Sequence, residues 1–282
     1  MSNLFSGVSR IANLPIFNAI SPPVTIDDIH HLAGFQEAQQ LGLAAMKTIA
    51  GLIEPGWTEQ EAVAALDKWM IDLGASGFLH RSLVWFGERS QFKENTRLTD
   101  FAPSKRQLRK DDIFILDVTP TYQGYSSHIA KTYSVQKSTP LNEMELVLQK
   151  LRSAIPEFFL KSSSAAEVLF LVDQYIAESG FTPCYQSYPF GVLGHRIHQN
   201  SFKFLPGYFI NFSLQAYWSF LSKGFFGQLL NTSLDGSLEG IWAIGPHISN
   251  GHSGAKFEEI LVCGDESAFW LGDKIANNFF KV

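Results

Sequence analysis

Cysteine is nearly missing from this chain: Cys184 and Cys263 are the only two in 282 residues. They form no C-x-x-C pair and no framework of bridges, which excludes a disulfide scaffold and a thiolate zinc knuckle. A reducing, cytoplasmic compartment is the expected setting. Charge is sparse as well, with 17% Asp, Glu, Lys and Arg and a formal net charge of −5. An acidic balance without a basic run argues against nucleic acid or an anionic membrane as the main partner. No run of 18 apolar residues occurs, so no spanning helix is expected. The start of the chain has no basic segment leading into an apolar one, so no signal peptide is expected. The phosphate-cradling P-loop, the dinucleotide G-x-G-x-x-G and the serine nucleophile elbow are all lacking.

Apolar residues, by contrast, make up 45% of the chain and include 24 phenylalanines. That suffices for a sizeable core in one large domain. Residues 1–24 carry Pro15, Pro22 and Pro23 without a sustained period and are expected to form an N-terminal arm. Residues 25–282 are expected to form a single domain. Thr25 is placed to cap a long helix reaching about Ile53, before Pro55-Gly56. Thr58-Glu-Gln-Glu61 and Ser164-Ala-Ala-Glu167 have the form of capping boxes, and Thr139-Pro140 opens a further helix. Residues 103–112 look like an exposed charged connector. Residues 201–230 are rich in aromatics but broken by glycine, proline and lysine. They could form a lid, a homodimer contact or additional core.

The centre of the sequence is Ile113-Phe-Ile-Leu-Asp117-Val-Thr-Pro120-Thr-Tyr-Gln-Gly124-Tyr-Ser-Ser-His128, continuing to Val135. Alternation predicts two strands around a turn marked by Pro120 and Gly124. Ile113, Ile115 and Asp117 fall on one face of the first strand. A carboxylate closing one strand and an imidazole opening the next are potential metal ligands. The plain alternative is an ordinary hairpin that happens to carry both.

These residues resemble a known pattern. Asp117 to Val135 is similar to the D-V-G-x-x-Y-x-G-Y-x-x-D-x-x-R-T-F stretch of the M24 peptidases, the creatinase, methionine aminopeptidase and prolidase superfamily. Gly194-His195-Arg196-Ile197-His198 resembles that family's G-H-G-I-G turn. Trp242-Ala-Ile-Gly245-Pro246 and Lys256-Phe-Glu258-Glu259 resemble its x-x-I-E-P and R-x-E-D motifs, in the same order. The resemblance implies a mixed α/β pita-bread fold, in which a curved antiparallel sheet with pseudo-twofold symmetry carries flanking helices. It also implies a metal site built from Asp117, His128, His195 and Glu258.

The departures from the pattern bear on the chemistry. Of the five ligands that the family uses to hold two metal ions, one aspartate is replaced by His128 and one glutamate by Gly245. An imidazole bridges two cations poorly, and glycine donates nothing. With only Asp117 and Glu258 left to offset positive charge, one divalent ion (Fe, Mn, Zn or Co) is expected in place of two. His198, Glu94 and His80 are the candidate acid/base residues. Trp218, Phe220 and His247 are candidates for binding a small-molecule or peptide substrate, and His247 could enter the space left at Gly245. Three functions stay open at this point. One is a metal-dependent hydrolase of a peptide, amide or related molecule. The second is a mononuclear non-haem iron oxygenase, since two histidines and a carboxylate also suit that chemistry. The third is a metal-free creatinase-like hydrolase or binding protein.

Overall fold

In a computed structural model, residues 29–93, 98–188, 191–197 and 229–273 are described. The expected arm, the Thr25 cap, and all but the end of segment 201–230 lie outside these residues. Among the described residues there are four α-helices: α1 (Ile29–Ala50), α2 (Glu59–Asp72), α3 (Thr139–Lys161) and α4 (Ala165–Glu178). Thr58 caps α2 in a complete capping box with Glu61, as the sequence predicts. Ser164 caps α4 by accepting from the Glu167 N–H, but the Glu167 carboxylate reaches back to Ser163 instead of Ser164. That box is therefore half formed, displaced by one residue because Ser163 offers both an N–H and a hydroxyl. Among the described residues, no helix is long and apolar enough to cross a membrane.

The strands are β1 (Gly77–Phe78), β2 (Leu83–Phe86), β3 (Ile113–Val118), β4 (Pro120–Tyr122), β5 (Tyr125–Ser126), β6 (Ile129–Ser134) and β7 (Thr182–Pro183). They continue with β8 (Gly194–Arg196), β9 (Leu229–Leu230), β10 (Gly240–Ile244), β11 (His247–Ser249), β12 (Gly254–Cys263) and β13 (Ala268–Trp270). The main sheet is antiparallel and runs β2-β3-β6-β12-β10-β8-β9. Strand β12, ten residues long, also pairs with β11 and β13. It is the seam between two halves. Helices α1 and α2 pack their apolar faces on Phe114, Leu116 and Val118 of β3. Helices α3 and α4 pack on Trp242, Ile244 and Leu261 of the other half.

The predicted central hairpin is divided into two. Strands β3 and β6 belong to the main sheet, while β4 and β5 leave it and join β1 in a separate three-stranded ribbon. Gln123 and Gly124 turn that ribbon with φ of 51° and 86°, the positive values that a tight hairpin turn requires. Gly34 of α1 lets the ribbon approach, because a Cβ there would lie 2.4 Å from the Tyr125 ring. The consequence for the site is that His128 sits where the chain re-enters the sheet, immediately before β6.

The connector at 103–112 is not simply exposed. Leu108 and Asp112 are buried, and Arg106 is paired with Asp112 and Glu88. Its charges look solvated in sequence because their partners lie elsewhere in the chain.

Candidate metal centre

Strand register brings the predicted residues together. Ala130 of β6 is opposite Asp117 on one side and opposite Glu258 on the other. Two residues before Ala130, His128 falls on the same face. On the far side of β12, His195 is opposite Ala243, which is opposite Ile260. Ile260 lies two positions from Glu258, so His195 is aimed at the same point. Four side chains separated by up to 141 residues of sequence thus meet on one buried face.

The contacts are close. His128 Nε2 is 2.9 Å from Asp117 Oδ1. His128 Nδ1 is 2.9 Å from His195 Nε2 and 3.0 Å from Glu258 Oε1. Burial opposes the charged form of His128, but Glu258 and Asp117 together outweigh it and raise its pKa. Burial also opposes ionisation of Asp117, yet Lys256 and His128 hold its carboxyl well below the usual range. His195 Nδ1 lies 3.3 Å from the Arg196 carbonyl, which can only accept. His195 Nε2 is thereby left as the lone-pair nitrogen.

Lys256 is the residue that the ligand count overlooks. Its Nζ is 2.8 Å from Asp117 Oδ2, 2.8 Å from Glu258 Oε2 and 3.0 Å from the Tyr188 hydroxyl. Burial disfavours its charge, but Asp117 and Glu258 prevail and raise its pKa well above the ordinary value. The signal was available in sequence: Lys256 is two residues before Glu258, which in a strand means the same face. Tyr188 also belongs to the site, and its phenol is pushed up by burial.

His80 borders the cluster, with its ring 5.1 Å from that of His128. Its Nδ1 donates to the Arg81 carbonyl at 2.7 Å, and its main chain is held by Thr119 on both sides. Burial first, and then the neighbouring His128, lower its pKa to about 4. His247 is buried against Phe92 and Tyr188, with Nε2 donating to the Ser90 carbonyl at 2.7 Å. The space beside Gly245 is taken by Glu258: a Cβ on Gly245 would come within 2.7 Å of Glu258 Oε2. His198, Glu94, Trp218 and Phe220 lie outside the described residues.

Among the described residues, two groups of donors could hold a divalent ion: His80, Asp117 and His128, and His128, His195 and Glu258. His128, His195 and Glu258 each offer a donor atom within 4.8 Å of the other two. Around a cation with bonds of about 2.0–2.2 Å, adjacent donors are separated by roughly 3–3.6 Å, depending on whether the geometry is octahedral or tetrahedral. The spacings of 2.9 and 3.0 Å from His128 Nδ1 lie near the lower end of that range. Asp117 on His128 and the Arg196 carbonyl beside His195 supply the outer contacts that orient ligating imidazoles. Asp117 itself is turned to His128 and Lys256 in the cluster of His80, Asp117 and His128.

Comparison with known proteins places this fold. The chain is 27% identical over 144 residues to an uncharacterized peptidase of Schizosaccharomyces pombe, covering 49% of this chain and 30% of that relative. The X-Pro aminopeptidase of Thermotoga maritima superposes with a TM-score of 0.63 at 18% identity, over 94% of this chain and 64% of that one. Methionine aminopeptidase from the same organism superposes with a TM-score of 0.59 at 16% identity, over 88% and 98%. These structural likenesses establish the fold, a mixed α/β pita-bread architecture, as the sequence motifs imply. The profile of metallopeptidase family M24 matches residues 33–265, which takes in every strand that feeds the cluster, and the chain belongs to that family.

Proposed function

We propose that this chain is a metal-dependent hydrolase of peptide or amide bonds, working with a single divalent ion held by His128, His195 and Glu258. The observation that carries the reading is the convergence of Nδ1, Nε2 and Oε1 of these residues at 2.9 and 3.0 Å. Family membership supports hydrolysis over the oxygenase that the same donors could serve. A divalent ion bound there would polarise the scissile carbonyl and acidify a water molecule.

The protein's own groups supply the rest. Asp117 orients His128 through the contact of its Oδ1 with His128 Nε2. His80 stays neutral near pH 7, and with its proton on Nδ1 it presents Nε2 as a proton acceptor. Tyr188 accepts from Lys256 through its oxygen and keeps its own proton to offer to developing negative charge on the substrate. Specificity for an apolar portion of the substrate is assigned to Trp218 and Phe220 in segment 201–230, with Glu94 and His198 as further acid/base candidates.

The test is elemental analysis of protein stripped with chelator and reloaded separately with Mn(II), Co(II), Zn(II) and, anaerobically, Fe(II). A panel of dipeptides and X-Pro peptides is assayed alongside. One equivalent per chain is expected, with hydrolysis dependent on it. The change His195→Ala should weaken metal binding by about 10²-fold or more. Two stoichiometric ions, or none with any metal, would overturn the mononuclear reading. Oxygen consumption by the iron form without peptide cleavage would replace hydrolysis with oxidation.

A further inference from the structure

We propose that Lys256 is a built-in counter-cation: it keeps the carboxylates of the centre assembled without metal and, by the same charge, holds down the affinity for metal. The proposal rests on the single-ion reading above only for its second half.

The geometry is complete at Nζ. An ammonium has three N–H donors, and all three are committed, to Asp117, Glu258 and Tyr188 at 2.8, 2.8 and 3.0 Å. The Lys256 side chain is 2% exposed, and those of its carboxylate partners 3% and 6%. Its backbone is fixed as well, because Thr132 Oγ1 accepts from the Lys256 N–H and donates to the Lys256 carbonyl. Asp117 and Glu258 come from different strands, β3 and β12, separated by β6. The ammonium therefore ties together two strands that make no direct ladder.

The charges give the two effects opposite signs. Asp117 and Glu258 alone would place two negative charges in a buried space, and Lys256 reduces that to one. When a divalent ion binds, the same ammonium is a like charge a few ångströms away, where screening by water is weak. A residue that only braced the site would raise stability and metal affinity together. A counter-cation raises the first and lowers the second. Protein held together in this way can gain and lose its ion without unfolding, unlike small domains whose folding energy is metal binding itself.

The experiment compares the full chain with Lys256→Met, which keeps the stem volume and removes the charge. Chelated protein is melted, and Mn(II) and Co(II) binding is followed by calorimetry. The variant should melt about 5 °C or more below the unchanged chain when metal-free. It should also bind the metal about tenfold more tightly. Loss of stability together with weaker metal binding would make Lys256 a brace and overturn the proposal. A second variant, Lys256→Met with Asp117→Asn, neutralises one carboxylate and should recover most of the lost melting temperature. No recovery would overturn the proposal. If Lys256→Met does not fold, the double variant must, and its failure to fold counts equally against the proposal. If no form of the protein binds metal, the hydrolase reading falls, and the rescue in chelated protein still decides the role of Lys256.

Discussion

Glu59 and Asp117 are both buried carboxylates in the first half of the molecule, and they are satisfied in different ways. Glu59, at the start of α2, accepts from the main-chain N–H of Phe86 and of Ser104, from the Ser104 hydroxyl, and from Arg89. Two of its donors are backbone, fixed by the fold itself. Asp117 accepts only from side chains, His128 and Lys256, in the contacts described. Side-chain donors can turn to another acceptor by a change of rotamer, which backbone donors cannot. The first arrangement is a staple between α2 and the loops around residues 86 and 104; the second is a candidate site. Equal burial thus says little about function, and the kind of donor says much.

The comparison is broken most sharply by Glu59→Ala. Arg89, the Ser104 hydroxyl and two backbone donors would lose their acceptor in a buried place, at a cost of about 3–5 kcal/mol in unfolding free energy. Metal stoichiometry in the folded fraction should be unchanged. Denaturant titration and elemental analysis of the same preparation check both halves. A loss of metal comparable to that of His195→Ala would mean the two regions are one unit.

A smaller effect is expected from Gly245→Ala. The added Cβ would sit 2.7 Å from Glu258 Oε2 and 2.9 Å from its Cδ, so the carboxylate must move. Because the end of a side chain yields more easily than backbone, the stability cost should be about 1–2 kcal/mol. Metal affinity should fall several-fold. Calorimetric titration checks it, and unchanged affinity would show that Glu258 need not hold its position. For the same reason, restoring carboxylates with His128→Asp and Gly245→Glu should favour a second ion only if Glu258 is displaced from beside residue 245.

The smallest effect belongs to the surface end of the first region. Arg106 lies 2.6 Å from Glu88, and its hydrogen bond lowers the Glu88 pKa from 4.5 to about 2. A lowered carboxylate pKa contributes stability that is present above the ordinary value and is lost as pH falls through the folded one. Glu88 is more than half exposed, so Glu88→Gln should cost less than about 1 kcal/mol at pH 7. The difference between variant and unchanged chain should shrink from pH 4.5 downward and disappear below about pH 2. Urea melts across that range measure it.

The sequence by itself determined the helices that begin with a capping residue, the alternation that makes β3 and β6 strands, and the identity of the residues that meet. Period and capping chemistry are local, so they can be read along the chain. It also raised the expectation of one metal ion in place of two, because His128 and Gly245 are visible as departures from a pattern. Other features were decided by tertiary structure alone. The ribbon of β4 and β5 leaves the main sheet and seats Tyr125 in the notch at Gly34, a contact between residues 91 positions apart. Glu258, and not His247, lies against the vacancy at Gly245, because main-chain register sets where each side chain points while Ser90 claims the His247 ring. Lys256 looks like the basic residue of a motif until β3 brings Asp117 to it across β6. Charge neutralisation depends on three-dimensional distance, and a sequence records only order.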